Sequence, residues 1–259
     1  MLQTRQGVAG FIVDWRRDNL YNGYMLSLEM RNKIETATRN FWDEKIKESS
    51  FAEIAQGTEI GHRIADLVSD KTTGLLAVEF TAMFQRNKAG HKVPRSMGDI
   101  WIAHEGIAHP VNVKASIADN GGQPNMVSMK KLLAALLEYR IDSYYLLFVK
   151  ISNTDELFSA KVHFVDMLDY LDYVTFDSGP GQIMLRSKDF FKALEKKSAP
   201  ENKLLSQKVS GLVDLLEDGE RRLIRNRRTT LKRFRTAVSK YNSSHHKVTP
   251  ESQAVFHLL

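Results

Sequence analysis

Residues 144–151 read Tyr-Tyr-Leu-Leu-Phe-Val-Lys-Ile, apolar except for Lys150. A run of this kind suits a central strand with both faces covered, so other elements must lie on either side of it. The flanking sequence supplies them. Apolar groups at three- and four-residue spacing (Phe11, Trp15, Tyr24, Leu28, Ile34, Phe41, Trp42) predict helix from Gln3 to about Glu48. Ile60, Ile64, Leu67 and Val68 predict a second helix, closed by a turn over Lys71–Gly74. Residues 75–84 suit strand or helix equally, and Gln85–Gly98 reads as a polar loop. Pro124, in the favoured first-turn position, predicts a helix running to about Tyr139. Further strands are expected over 161–165, 173–177 and 182–186, with Gly179-Pro180-Gly181 as the turn between the last two. Helix is expected from there to Tyr241, broken at Ser198–Pro200. This order predicts an α/β fold: a mixed central sheet flanked by helices, in one domain over 1–259. Residues 1–70 would be mainly helical, 75–190 the α/β core, and 200–241 a basic helical part.

Composition narrows the chemistry. The chain has no cysteine, which excludes thiolate catalysis, disulfides and Cys-ligated metals. A reducing cytoplasm fits that composition. The first 17 residues do not resemble a signal peptide, and no stretch approaches the ~18 apolar residues of a membrane span. The net charge of +6 is unevenly spread: Arg221–Lys240 holds nine Lys/Arg and no Asp/Glu. Such a segment suits nucleic acid or an anionic membrane surface, and equally a solvated helix face. Several histidines invite a metal reading, His104, His109, His163 and His245-His246, but none of these stands at zinc-protease spacing.

Asp99–Ala103 and Ile107–Lys114 read as two strands joined by the turn pair Glu105-Gly106. In that hairpin His104 faces Ile107, and counting outward sets Asp99 opposite Asn112. Alternation then gathers Asp99, Asn112 and Lys114 on one side, with Ile100, Ile102, Val111 and Val113 on the other. A carboxylate, an amide and an ammonium on one polar face suit phosphodiester hydrolysis. Asp99, the Asn112 side-chain oxygen and the Val113 carbonyl are the candidate ligands of a Mg²⁺ ion. Lys114 is the candidate to hold the attacking water and stabilise phosphate charge.

The runs Gly98-Asp99-Ile100-Trp101-Ile102 and Pro110-Val111-Asn112-Val113-Lys114, followed by Gln123-Pro124-Asn125-Met126-Val127-Ser128, resemble the PD-(D/E)XK nucleases. Within them they resemble the blunt-cutting type II restriction endonucleases, over roughly residues 97–150. Gly98 stands where that motif often has Pro. Asn112 stands where it has its second acidic residue, a variant some active restriction enzymes share. The resemblance implies site-specific, Mg²⁺-dependent cutting of double-stranded DNA by a homodimer, paired in its host with a DNA methyltransferase. A DNA repair or junction-resolving nuclease, or an inactive DNA-binding module, are the alternative expectations. The family pattern also implies an upstream helical acid; Glu59 is the first candidate, then Glu53 and Asp66. It implies that Gln123, Asn125 and Ser128 face DNA, where amide side chains pair with base edges. Lys130 and the loop residues Arg86 and Arg95 are candidate phosphate contacts, though 85–97 also suits an ordinary surface loop.

Overall fold

The computed structural model describes residues 25–48, 51, 60–84, 96–117, 123–138, 140–154, 157–196 and 203–245. The elements are α1 (Leu28–Lys45), α2 (Ile60–Glu79), β1 (Ile100–His104), β2 (Ile107–Ile117), β3 (Asn125–Ser128) and α3 (Met129–Leu137). There follow β4 (Tyr145–Thr154), β5 (Leu157–Asp166), a 3-10 helix (Met167–Tyr173), β6 (Val174–Asp177), β7 (Gln182–Leu185), α4 (Ser187–Glu195) and α5 (Leu205–His245). The fold is α/β, but the strands form two sheets rather than the single one expected. One is four-stranded, in the order β1-β2-β4-β5, with β2 and β4 parallel and the other pairs antiparallel. The other is three-stranded and antiparallel, in the order β3-β7-β6.

β4 is buried on both faces, as its composition requires. Tyr145, Leu147, Val149 and Ile151 enter one core with Ile34, Trp42, Val68 and Leu76 of α1 and α2. Tyr144, Leu146 and Phe148 enter the other, with α3, α4, the 3-10 helix and the small sheet. α1 starts at Ser27, whose hydroxyl accepts the Met30 N–H at 3.2 Å, and it buries Ile34, Thr38 and Trp42, one per turn.

Two local expectations fail for tertiary reasons. Lys71–Gly74 is helix interior, not a turn. Its Thr72 is fully buried, and the Thr72 hydroxyl accepts the Trp42 indole N–H at 2.9 Å, so packing overrides a weak local preference. Pro124 does not open a helix. Residues 125–128 form β3, which pairs with β7, and α3 begins only at Met129, with Ser128 at its N-cap position. The Pro124 carbonyl accepts the Leu185 N–H at 3.1 Å. Ala115–Ile117, expected in a loop, extend β2. The strands expected over 161–165, 173–177 and 182–186 correspond to β5, β6 and β7 within a few residues.

α5 is anchored by a buried charge cluster. The Lys208 ammonium lies 2.6 Å from Asp166 and 3.6 Å from Asp169. Asp166 also accepts the N–H groups of Tyr144 and Leu168. Among the described residues, no helix is long and apolar enough to cross a membrane.

Candidate active site

The hairpin has the register read from the sequence, Ile100↔Val111 through His104↔Ile107. Glu105 and Gly106 both adopt positive φ, 50° and 80°, the backbone of a tight two-residue hairpin turn. Alternation also holds. Ile100, Ile102, Val111 and Val113 enter the core beneath α1 and α2, whereas Asn112 contacts Met126 and Tyr144 of the other core.

Asp99 does not continue β1 to face Asn112 squarely. The chain bends over residues 97–99, and the Asp99 N–H donates to the Val111 carbonyl at 2.9 Å. The Asp99 carboxylate reaches along β2, where Oδ2 accepts the Val113 N–H at 2.9 Å. The same oxygen lies 3.9 Å from Lys114 Nζ, and both side chains stay partly exposed, 38% for Asp99 and 23% for Lys114. A carboxylate and an ammonium thus meet at a solvent-accessible point, and the carboxylate is held by a backbone donor. Gly98 permits the bend. A Cβ there would come within 2.9–3.0 Å of the Ile100 carbonyl and of the Val111 N–H and carbonyl. No proline ring fits at this position.

Asn112 is 3% exposed. Its Nδ2 donates to the Met126 carbonyl at 3.0 Å and to the Tyr144 hydroxyl at 3.1 Å. The Tyr144 hydroxyl in turn donates to the Met97 carbonyl at 2.8 Å, two residues before Asp99. Tyr144 therefore joins the bend carrying Asp99 to strand β2, and Asn112 links β2 on to the 123–128 segment. Burial pushes its hydroxyl far above the usual phenol range; the Asn112 hydrogen bond opposes this and the nearby Asp99 charge reinforces it. It stays a neutral donor and acceptor. Sequence reasoning missed Tyr144, reading it as part of an apolar run. The available signal was that a buried tyrosine needs a partner for its hydroxyl.

The Asn112 Oδ1 is buried and, among the described residues, accepts no hydrogen bond. Buried carbonyl-type oxygens are ordinarily satisfied, so this atom calls for a donor or a cation. This oxygen and the Asp99 carboxylate are both hard donors of the kind Mg²⁺ takes. The Val113 carbonyl accepts the Ser69 hydroxyl of α2 at 3.3 Å, a long bond that leaves it a second lone pair. Among the described residues, no three His, Asp or Glu gather at metal-binding spacing. An ion here would rest on one carboxylate and neutral oxygens.

Glu59, Glu53, Arg86 and Arg95 lie outside the described residues. Asp66 is exposed on α2, one turn before Ser69. Gln123 and Asn125 are exposed, Ser128 is half-buried and Lys130 is exposed on α3. Through Met126 the 123–128 segment is bonded directly to Asn112. His109 is buried beside Tyr145 in an edge-to-face contact, a structural histidine. Two basic residues of α5 are already engaged: Arg222 donates to the Phe176 carbonyl, and Arg221 pairs with Glu217 and Asp218. Compared with known proteins, the chain matches no family model and has no significant similarity to any curated protein.

Proposed function

We propose that this chain is a Mg²⁺-dependent endonuclease of the type II restriction kind, cutting double-stranded DNA at a short palindromic site as a homodimer. One observation carries the reading: the Asp99 carboxylate, from the bend before β1, and the Lys114 ammonium, from neighbouring β2, lie 3.9 Å apart at an accessible point. The orphaned, buried Asn112 Oδ1 supports it. So does the bond from Asn112 to Met126, which ties the segment carrying Gln123, Asn125 and Ser128 to the site; in this reading those amide and hydroxyl groups read base edges and Lys130 meets phosphate. Within this reading the fold is the restriction-endonuclease-like core, operating in the cytoplasm with a DNA methyltransferase protecting the host sites.

The chain's own groups divide the work. The Lys114 ammonium stabilises the negative charge that builds on the phosphate oxygens and orients the attacking water. Asp99 keeps that ammonium in place and offers carboxylate oxygen to a cation, its own rotamer set by the Val113 N–H. Asn112 offers a neutral oxygen fixed by Met126 and Tyr144. Bound Mg²⁺ supplies a charge sink and lowers the pKa of its water.

A second reading has an observation of its own. The Asn112 amide is engaged in two structural hydrogen bonds, which suits an inactive DNA-binding module as well as an active centre.

Incubation of the protein with plasmid and Mg²⁺, followed by sequencing of the ends, separates the possibilities. Discrete fragments sharing one end sequence support restriction. Cutting confined to branched or damaged DNA supports a repair or junction-resolving nuclease. Retarded but uncut DNA supports the binding module. Lys114→Ala is expected to lower cleavage by at least about 100-fold while leaving DNA binding largely intact. Normal cleavage by that variant rules out the site.

A further inference from the structure

The second half of α5 leaves the body of the protein. Gly219 packs against Phe176, Arg222 donates to the Phe176 carbonyl, and residues 224–243 are all exposed, about 30 Å of helix. This half is not uniformly polar. Ile224, Leu231, Phe234 and Val238 are 49%, 52%, 66% and 57% exposed. Their spacings of seven, three and four residues are those of one coiled-coil seam, with Arg227 occupying the remaining seam position. DNA phosphates satisfy arginines but leave an apolar stripe with leucine, isoleucine and phenylalanine in water. The stripe calls for a second apolar surface.

Charge decides which surface. Arg221, Arg228 and Arg235 repeat every seven residues along one flank of the seam, while Leu223, Thr230 and Ala237 line the other. In a parallel pair of identical helices, Arg227 would meet its own copy inside the seam. In an antiparallel pair the arginine flanks would face each other, because like flanks then adjoin. Both self-pairings set like charges together at close range, which is destabilising. The terminal segments offer no acidic complement: residues 1–24 carry three Arg and two Asp, and residues 246–259 one Lys and one Glu. We infer that residues 224–238 of α5 form a docking surface for an acidic amphipathic helix of another protein. Its apolar stripe would cover Ile224, Leu231, Phe234 and Val238, and its carboxylates would meet Arg227, Arg228 and Arg235. The inference does not depend on whether the chain cuts DNA.

The test uses the intact chain and a labelled synthetic four-heptad peptide with leucine at both seam positions and glutamate at both flanks. The control has the same composition with the seam scrambled. Binding is read by fluorescence anisotropy near 0.15 M salt, where exposed charges are screened beyond about 8 Å. The heptad peptide is expected to bind at least about tenfold more tightly than the scrambled one, a difference of about 1.4 kcal/mol. The Leu231→Ser/Phe234→Ser variant, with unchanged far-ultraviolet circular dichroism, is expected to lose that advantage. Equal binding of both peptides would overturn the inference, since charge alone would then explain it. Self-association of the native chain that this variant abolishes would overturn it too, assigning the seam to a second copy. So would binding to phosphatidylserine vesicles without binding to the peptide.

Discussion

Replacing Tyr144 by phenylalanine removes one oxygen atom from a fully buried position and leaves the ring packing unchanged. That oxygen donates to the Met97 carbonyl at 2.8 Å and accepts the Asn112 amide at 3.1 Å. Its loss orphans one buried carbonyl and one of the two Asn112 N–H groups, the other still being held by Met126. Each buried group stranded in this way costs about 1–3 kcal/mol, so we expect the variant, with two such groups, to be about 2–6 kcal/mol less stable. Urea unfolding measures the loss as a shift of midpoint at unchanged slope. A double-mutant cycle with Asn112→Ala then isolates the pair: the double variant is expected to be at least about 0.5 kcal/mol more stable than the sum of the single effects predicts. Under the nuclease reading the same variant also loosens the bend carrying Asp99 and raises the Mg²⁺ concentration needed for half-maximal cutting. A stability loss below about 0.5 kcal/mol, or strict additivity in the cycle, would refute the hydrogen-bonded bridge on which the site's geometry depends.

Further outcomes are equally specific. Gly98→Ala places a methyl group against three backbone atoms that cannot swing away. It is expected to cost about 1–3 kcal/mol in urea unfolding and to impair cleavage by displacing Asp99. Asn112→Asp is expected to retain cleavage with an altered Mg²⁺ requirement, read from a metal titration; complete loss of cleavage at every Mg²⁺ concentration counts against Asn112 as an oxygen donor. His109 is expected to make the fold acid-sensitive. Burial, opposed by Asp142 and aided by His104, lowers its pKa to about 4, so between pH 6.5 and 4 the unfolded chain holds a proton that the folded one lacks. Its stabilising contribution is complete above the unfolded pKa and falls as the pH drops, by about 2 kcal/mol from pH 7 to pH 5. Urea midpoints at the two pH values measure the loss, and His109→Gln should remove that share of it.

Much of this architecture was legible along the chain, for a physical reason that can be named. Period-two alternation and a two-residue turn are local properties, and they specified the β1–β2 hairpin down to its register. The nearly all-apolar composition of 144–151 is likewise a direct imprint of burial on both faces. That register brings Asp99 to the end of β2 that carries Lys114, and the bend over 97–99 with the Val113 N–H sets the contact itself. Other features depend on partners remote in sequence. Thr72 stays helical because Trp42 takes its hydroxyl, and residues 125–128 are strand because β7, more than fifty positions later, completes their ladder. The Asn112 amide is turned by Tyr144, brought beside it by a parallel pairing between β2 and β4. Local propensity contains no term for such contacts. They form only when segments far apart in the chain have closed around one another, so hydrogen-bond satisfaction in the packed interior selected among local conformations that the residues themselves left nearly equal in energy.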